Sequence, residues 1–210
     1  MVTAPGTLRY VLTSGATKWE DALHAPVPAP ATVAADGSVY FGCNTGKYNS
    51  DAMAVGLNPA GVMLFTSTKS YCTFTTPPVV LSDGSVVFEF DDFSYRGDVF
   101  PIELASCIRR VDPTGKTLLQ VPATDVRWGE GKDLGLTAPG LVNGKYAAFS
   151  YENAFWLIDA AGHTFTTDQP TNAAGGYATQ VAAQGDLLLA ATAGEYGTPT
   201  GLYRLTVRVR

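Results

Sequence analysis

Four stretches share one form: AADGSVYFG at residues 34–42, LSDGSVVFEF at 81–90, VNGKYAAFS at 142–150 and AAQGDLLLAA at 182–191. In the first three, an Asp-Gly or Asn-Gly pair separates short runs rich in Val, Tyr, Phe and Leu, and the fourth is a looser copy around Gly185. A polar pair ending in glycine between apolar runs is the sequence form of a tight β-hairpin. The turn glycines Gly37, Gly84, Gly144 and Gly185 stand 47, 60 and 41 residues apart.

A second turn alternates with the first. GLNPAGVMLFT (56–66), RRVDPTGKTLLQV (109–121) and WLIDAAGHTFTT (156–167) place Gly61, Gly115 and Gly162 after Asn58, Asp112 and Asp159. LRYVLTSGATKWE (8–20) holds a degenerate copy at Gly15, and these glycines are 46, 54 and 47 residues apart. An Asp or Asn that opens a turn can bond its own backbone, while glycine supplies the positive φ. Two alternating hairpin turns describe four strands per unit, and a four-stranded unit repeated at ~40–50 residues marks a propeller blade.

The expected fold is therefore all-β: a small β-propeller of four four-stranded antiparallel blades forming a single domain over residues 1–210. The blades fall at about 31–68, 77–122, 137–168 and 178–210. The last one ends in LYRLTVRVR, where Tyr203, Leu205, Val207 and Val209 alternate with polar residues. Residues 1–20 are expected to complete it and close the ring, which removes open strand edges. Two alternatives stand beside this: the chain is part of a larger propeller, or two copies join their incomplete blade edges as a homodimer.

Composition narrows the function. Fourteen Lys and Arg against nineteen Asp and Glu give a net charge of −5, and no basic run occurs, which argues against nucleic-acid binding. The longest apolar run, Leu187–Ala191, is far too short to span a bilayer. No basic-then-apolar opening marks a signal peptide, yet the Lys-poor, Thr/Gly/Tyr-rich composition points to a bacterial protein exported to the periplasm or cell exterior.

RVDPTGKTLLQV resembles the repeat of the pyrroloquinoline-quinone-like (PQQ-like) family, in which an Asp is followed closely by Thr-Gly-Lys and a Trp. Asp112, Thr114, Gly115 and Lys116 match, with Leu at the Trp position. PPVVLSDGSVVFEF and APATVAADGSVYFG also resemble those repeats. The resemblance implies the propeller scaffold. The calcium ligands and catalytic Asp of the family's quinone-dependent enzymes have no counterpart here, so no cofactor is expected and the family's binding scaffolds are the better analogy.

The register of turns gathers the longer insertions on one face: 43–53, 91–107 and 192–200, with the connections 68–76, 122–137 and 167–177. Long loops on a rigid scaffold are where function concentrates. The richest is DDFSYRGDVFPIELASC (91–107), with Asp91, Asp92, Phe93, Tyr95, Arg96 and Asp98, followed by RWGEGKDLG (127–135) with Trp128 and Glu130. Aromatic platforms beside carboxylates suit a sugar ring and its hydroxyls. The aspartates lack the alternation of a calcium loop, so no metal is expected. Cys43, Cys72 and Cys107 form no C-x-x-C pair; a Cys72–Cys107 disulfide, suited to an oxidising compartment, stands against three free thiols.

The leading functional expectation is a non-catalytic binding module that presents the long-loop face to a glycan or protein partner. A polysaccharide-acting hydrolase or lyase would draw its carboxylates from Asp92, Asp98, Glu130 and Glu152. The two histidines, His24 and His163, have no G-x-S-x-G serine to serve. The third alternative is a structural part of a larger propeller assembly.

Overall fold

The computed structural model describes residues 8–21, 27, 29–45, 51–70, 72–73, 76–95, 101–122, 126–127, 140–151, 154–168, 177–185, 187–193 and 201–206. The chain opens on a hairpin of β1 (Leu8–Val11) and β2 (Thr17–Asp21). The first blade is β3 (Thr32–Val33), β4 (Val39–Thr45), β5 (Asp51–Leu57) and β6 (Met63–Ser70), in that order across the sheet. The second holds β7 (Cys72–Thr73), β8 (Val79–Val80), β9 (Val86–Tyr95), β10 (Pro101–Val111), β11 (Thr117–Pro122) and β12 (Val126–Arg127). There β7 and β8 both pair β9, so together they fill the first-strand place. The third is β13 (Gly140–Val142), β14 (Tyr146–Tyr151), β15 (Ala154–Asp159) and β16 (Thr164–Asp168). The fourth is β17 (Tyr177–Gln184), β18 (Leu187–Ala193) and β19 (Gly201–Thr206). All these pairings are antiparallel, as short hairpin links require.

The blades stack face to face, and strand alternation explains why their middle strands are apolar without interruption. On β4, Val39, Phe41 and Cys43 pack toward the opening hairpin with Leu8, Val55 and Leu57, while Tyr40 packs toward the second blade. On β9, Val86 and Phe88 join Tyr40, Ala52, Ala54, Phe65 and Val111 between the first and second blades. The intervening Val87 joins Val79, Leu81, Ile108, Ala147 and Ile158 between the second and third. The two faces of one strand thus serve two different cores. This is the architecture of a β-propeller.

The turns form as their residues dictate. Asp36 Oδ1 accepts the Ser38 amide at 2.8 Å, Asp83 Oδ1 that of Ser85 at 3.0 Å, and Asp112 Oδ1 those of Thr114 and Lys116 at 2.8 and 3.0 Å. Asn58 Oδ1 takes the amides of Ala60 and Val62, both at 2.9 Å. In the third blade Asn143 and Gly144 both adopt positive φ, as a two-residue hairpin turn demands.

The N-terminal segment departs from expectation. Among the described strands β1 pairs only with β2, and neither pairs with the fourth blade. The hairpin instead lies on the first blade, where Leu8 is fully buried. Its turn has the backbone hydrogen bonds that both turn types share, Gly15 amide to Leu12 carbonyl and Leu12 amide to Ala16 carbonyl, but Trp19 of β2 stands over Gly61 as Phe65 of β6 stands over Gly115. Residues 8–21 therefore fold as the outer half of a blade and stack on the blade that follows in sequence. In the fourth blade β19 already holds the third-strand place beside β18.

Neighbouring units lock through these outer turns. At Gly61, φ +84°, an added Cβ would lie 2.8 Å from the indole of Trp19 on β2. At Gly115, φ +88°, it would lie 2.4 Å from Phe65 on β6, whereas at Gly15, φ +84°, it meets open space. Gly115→Ala should therefore cost about 3 kcal/mol and Gly15→Ala about 1 kcal/mol, the first adding a steric clash to the backbone strain they share. Urea unfolding of both variants measures the difference.

Candidate functional site

The 91–107 segment is more strand than loop. β9 runs for ten residues and β10 for eleven, against seven for β4 and for β18. Asp91, Asp92, Phe93 and Tyr95 pair with Ser106, Ala105, Leu104 and Pro101, so this much of the expected loop is paired strand. Polar residues such as Asp91 and Asp92 read as a loop in isolation. Here the backbone ladder holds them in a sheet, paired again on the outer sides: Cys72 and Thr73 of β7 lie opposite Asp92 and Asp91, and Arg127 and Val126 of β12 opposite Glu103 and Leu104. Three residues beyond the length of β4 extend a strand by ~10 Å. The second blade thus carries a ribbon flanked on both edges at its far end.

The other expected contacts divide. Arg96, Asp98, Trp128 and Glu130 lie outside the described residues, as do His24 and Glu152. Arg127, which precedes Trp128, closes β12 beside Glu103. Cys72 stands opposite Asp92 on one side of β9, and Cys107 opposite Phe90 on the other. Two strand spacings of ~4.8 Å put them ~10 Å apart, beyond the ~7 Å between Cα atoms that a disulfide spans, which favours the alternative of free thiols over a Cys72–Cys107 bridge. Cys43 is a buried free thiol whose pKa burial raises to about 11. His163 is exposed and bonds Asp159 Oδ2 through Nδ1 at 2.9 Å, closing its own turn.

Two buried charged side chains lie outside the residues that the sequence singles out. Glu89, on β9, is 2% exposed and accepts the Thr76 hydroxyl at 2.6 Å. The bond ties β9 to the gap between β7 and β8. Arg110, on β10, donates through Nε to Ser85 Oγ at 2.8 Å and through Nη2 to Asp83 Oδ2 at 2.7 Å and to the Ala160 carbonyl. It thereby fastens the second blade to the outer turn of the third. Its neighbour Arg109 reaches the other way, to Ser67 of the first blade at 2.8 Å. The sequence signal was present: Arg110 shares strand alternation with buried Ile108, and Glu89 sits inside the run VVFEF. Among the described residues no group of three or more His, Cys, Asp or Glu side chains is arranged to hold a metal ion.

No known protein family matches the chain, and no curated protein does. Several solved structures resemble it at low identity. A protein of unknown function from Bacteroides caccae is 12% identical with a TM-score of 0.50, the match covering 92% of this chain and 66% of that one. The computationally designed Ika4 protein is 10% identical with a TM-score of 0.49, covering 88% and 92%. The Cps50 (Swd1) β-propeller domain from Myceliophteria thermophila is 12% identical with a TM-score of 0.47, covering 87% and 52%. The chain thus spans 66% of the length of the Bacteroides caccae protein. At these identities the likeness concerns the fold alone. The class is a β-propeller; the PQQ-like family is a resemblance of the repeats.

The Arg110 clamp carries a pH signature. Partial burial of Asp83 would raise its pKa, but hydrogen bonds from the Ser85 hydroxyl and amide and the nearby Arg110 guanidinium outweigh it, holding the carboxyl below its ordinary 3.8. A carboxylate whose pKa is depressed on folding stabilises fully above its unfolded value and loses that contribution as pH falls through the folded value. Asp83→Asn should therefore lower the melting temperature at pH 7 and narrow its gap to wild type below pH 3.8. Melting curves from pH 2 to 7 test this.

Proposed function

We propose that this chain is a non-catalytic β-propeller binding module that presents the face carrying the extended β9–β10 hairpin to a glycan or protein partner. One observation supports the reading: the candidate residues Asp91, Asp92, Phe93 and Tyr95 occupy the far end of a ribbon paired on both edges, by β7 and β12. A ribbon braced this way presents contact residues on regular structure, which reduces the ordering cost of binding. Trp128 follows the bracing strand β12 directly in sequence, adding a second aromatic to the proposed contact set. The proposal sets the protein outside the cytoplasm, where its Lys-poor composition led.

A second reading, a structural part of a larger propeller, is favoured by the opening hairpin. Trp19 of β2 stands over Gly61 as Phe65 of β6 stands over Gly115, and Leu8 packs into the first blade, so β1 and β2 lie against it as a neighbouring blade would.

Binding to an immobilised panel of polysaccharides and surface proteins tests the first reading. Tyr95→Ala and Trp128→Ala should each weaken capture by about ten-fold, within the range of aromatic contact residues, with melting temperatures near wild type. A large loss of stability in either variant instead assigns that residue to the core and removes it from the contact set.

A further inference from the structure

A cavity lies away from the extended hairpin, on the face formed by the short turns, and does not depend on the reading above. It encloses about 1010 Å³ between the first strands of three blades and the turns that follow them. Its walls include Val33 of β3, Val80 of β8 and Leu141 of β13, each just ahead of the first turn of its blade. Val33 is 49% exposed and Leu141 37%, so the apolar wall faces solvent across the opening. Apolar side chains exposed together in a concave site, with few polar groups, are the usual setting for a small ligand.

The charged groups among the described lining residues are of one sign. Asp36 and Asp83 line the cavity, and among the described residues no Lys, Arg or His does. Asp83 is committed to Arg110 and Ser85. Asp36 is held in place by the Ser38 amide at 2.8 Å and hydroxyl at 3.0 Å, and among the described residues no Lys or Arg pairs with it. Below it Tyr40 is almost fully buried. Burial raises its pKa, the Ser38 hydrogen bond opposes this, and the charge of Asp36 adds to the rise, so the phenol stays neutral. The cavity therefore offers one fixed carboxylate, unpaired with any described cation, above an apolar wall. We propose that it binds a small organic cation with an apolar body, the charged end at Asp36 and the body against Val33, Val80 and Leu141.

Three probes of one shape separate charge from apolar contact: 3-phenylpropylammonium, 3-phenylpropanol and 3-phenylpropionate, titrated while the methyl resonances of labelled Val and Leu are followed. The ammonium should bind about five-fold more tightly than the carboxylate, as expected for one partly solvated charge contact, and should shift the Val33, Val80 and Leu141 methyls. Asp36→Asn should erase that preference and leave 3-phenylpropanol binding unchanged. Because Asp36 also closes its turn, Val33→Lys provides an independent check: it sets a cation at an exposed position inside the cavity and should abolish ammonium binding. Equal affinity for the three probes, unmoved methyls at Val33, Val80 and Leu141, or ammonium binding retained by Val33→Lys would each overturn the proposal.

Discussion

The stacking of one unit on the next depends on a large side chain of one outer strand lying over a bare turn glycine of the following unit. Trp19 of β2 covers Gly61, and Phe65 of β6 covers Gly115. Each ring stands four residues after the turn glycine of its own unit, Gly15 and Gly61. One short element therefore acts as receptor for the preceding unit and as knob for the next. The glycine is required twice over, for the positive φ of the turn and for the absence of a Cβ beneath the ring. Between the second and third blades the contact changes character. Leu119 holds the ring position, and Arg110 approaches Gly162 and bonds the Ala160 carbonyl, so hydrogen bonding takes over part of what ring packing does elsewhere.

The rest of the core follows from that stacking. Because each of the first three blades lies between two other units, its middle strands lose both faces to burial and have no wet side. Phe41, Phe88 and Ile158 are essentially inaccessible, each contributing ~1.5–3 kcal/mol on burial. Charged groups that enter this interior have partners, Glu89 the Thr76 hydroxyl and Arg110 the side chains of Asp83 and Ser85. The inner strands are short, two residues each for β3 and β8, and leave Val33 and Leu141 open to the cavity.

The turns were the legible part of the sequence. Asp36, Asn58, Asp83, Asp112 and Asp159 bond their own backbone as their residue types foretell, and the strands between them follow. The far end of the β9–β10 hairpin was not legible, because Asp91 and Asp92 lack the apolar alternation that announces a strand and are held instead by ladder bonds to β7 and β10. The placing of β1 and β2 was not legible for a related reason. The benefit of closing a sheet edge can be argued from sequence, but Leu8 packing beside Phe41 and Trp19 packing over Gly61 depend on tertiary contacts. In hindsight the spacing of Trp19 from Gly15 was the clue, since it places Trp where the fuller repeat around Gly115 has Leu119. The candidate contacts were legible as residue types only; their grouping depends on the pairing of strands remote in sequence.

The most direct test of this account is a double-mutant cycle between Trp19 and Gly61, read by urea unfolding. Gly61→Ala should cost about 3 kcal/mol in the wild-type chain, where the new methyl meets the indole. In the Trp19→Ala background it should cost only about 1 kcal/mol, the backbone strain that remains once the ring is gone. Equal costs in the two backgrounds would show that the ring and the turn do not bear on each other, and would contradict the claim that this contact locks one unit onto the next.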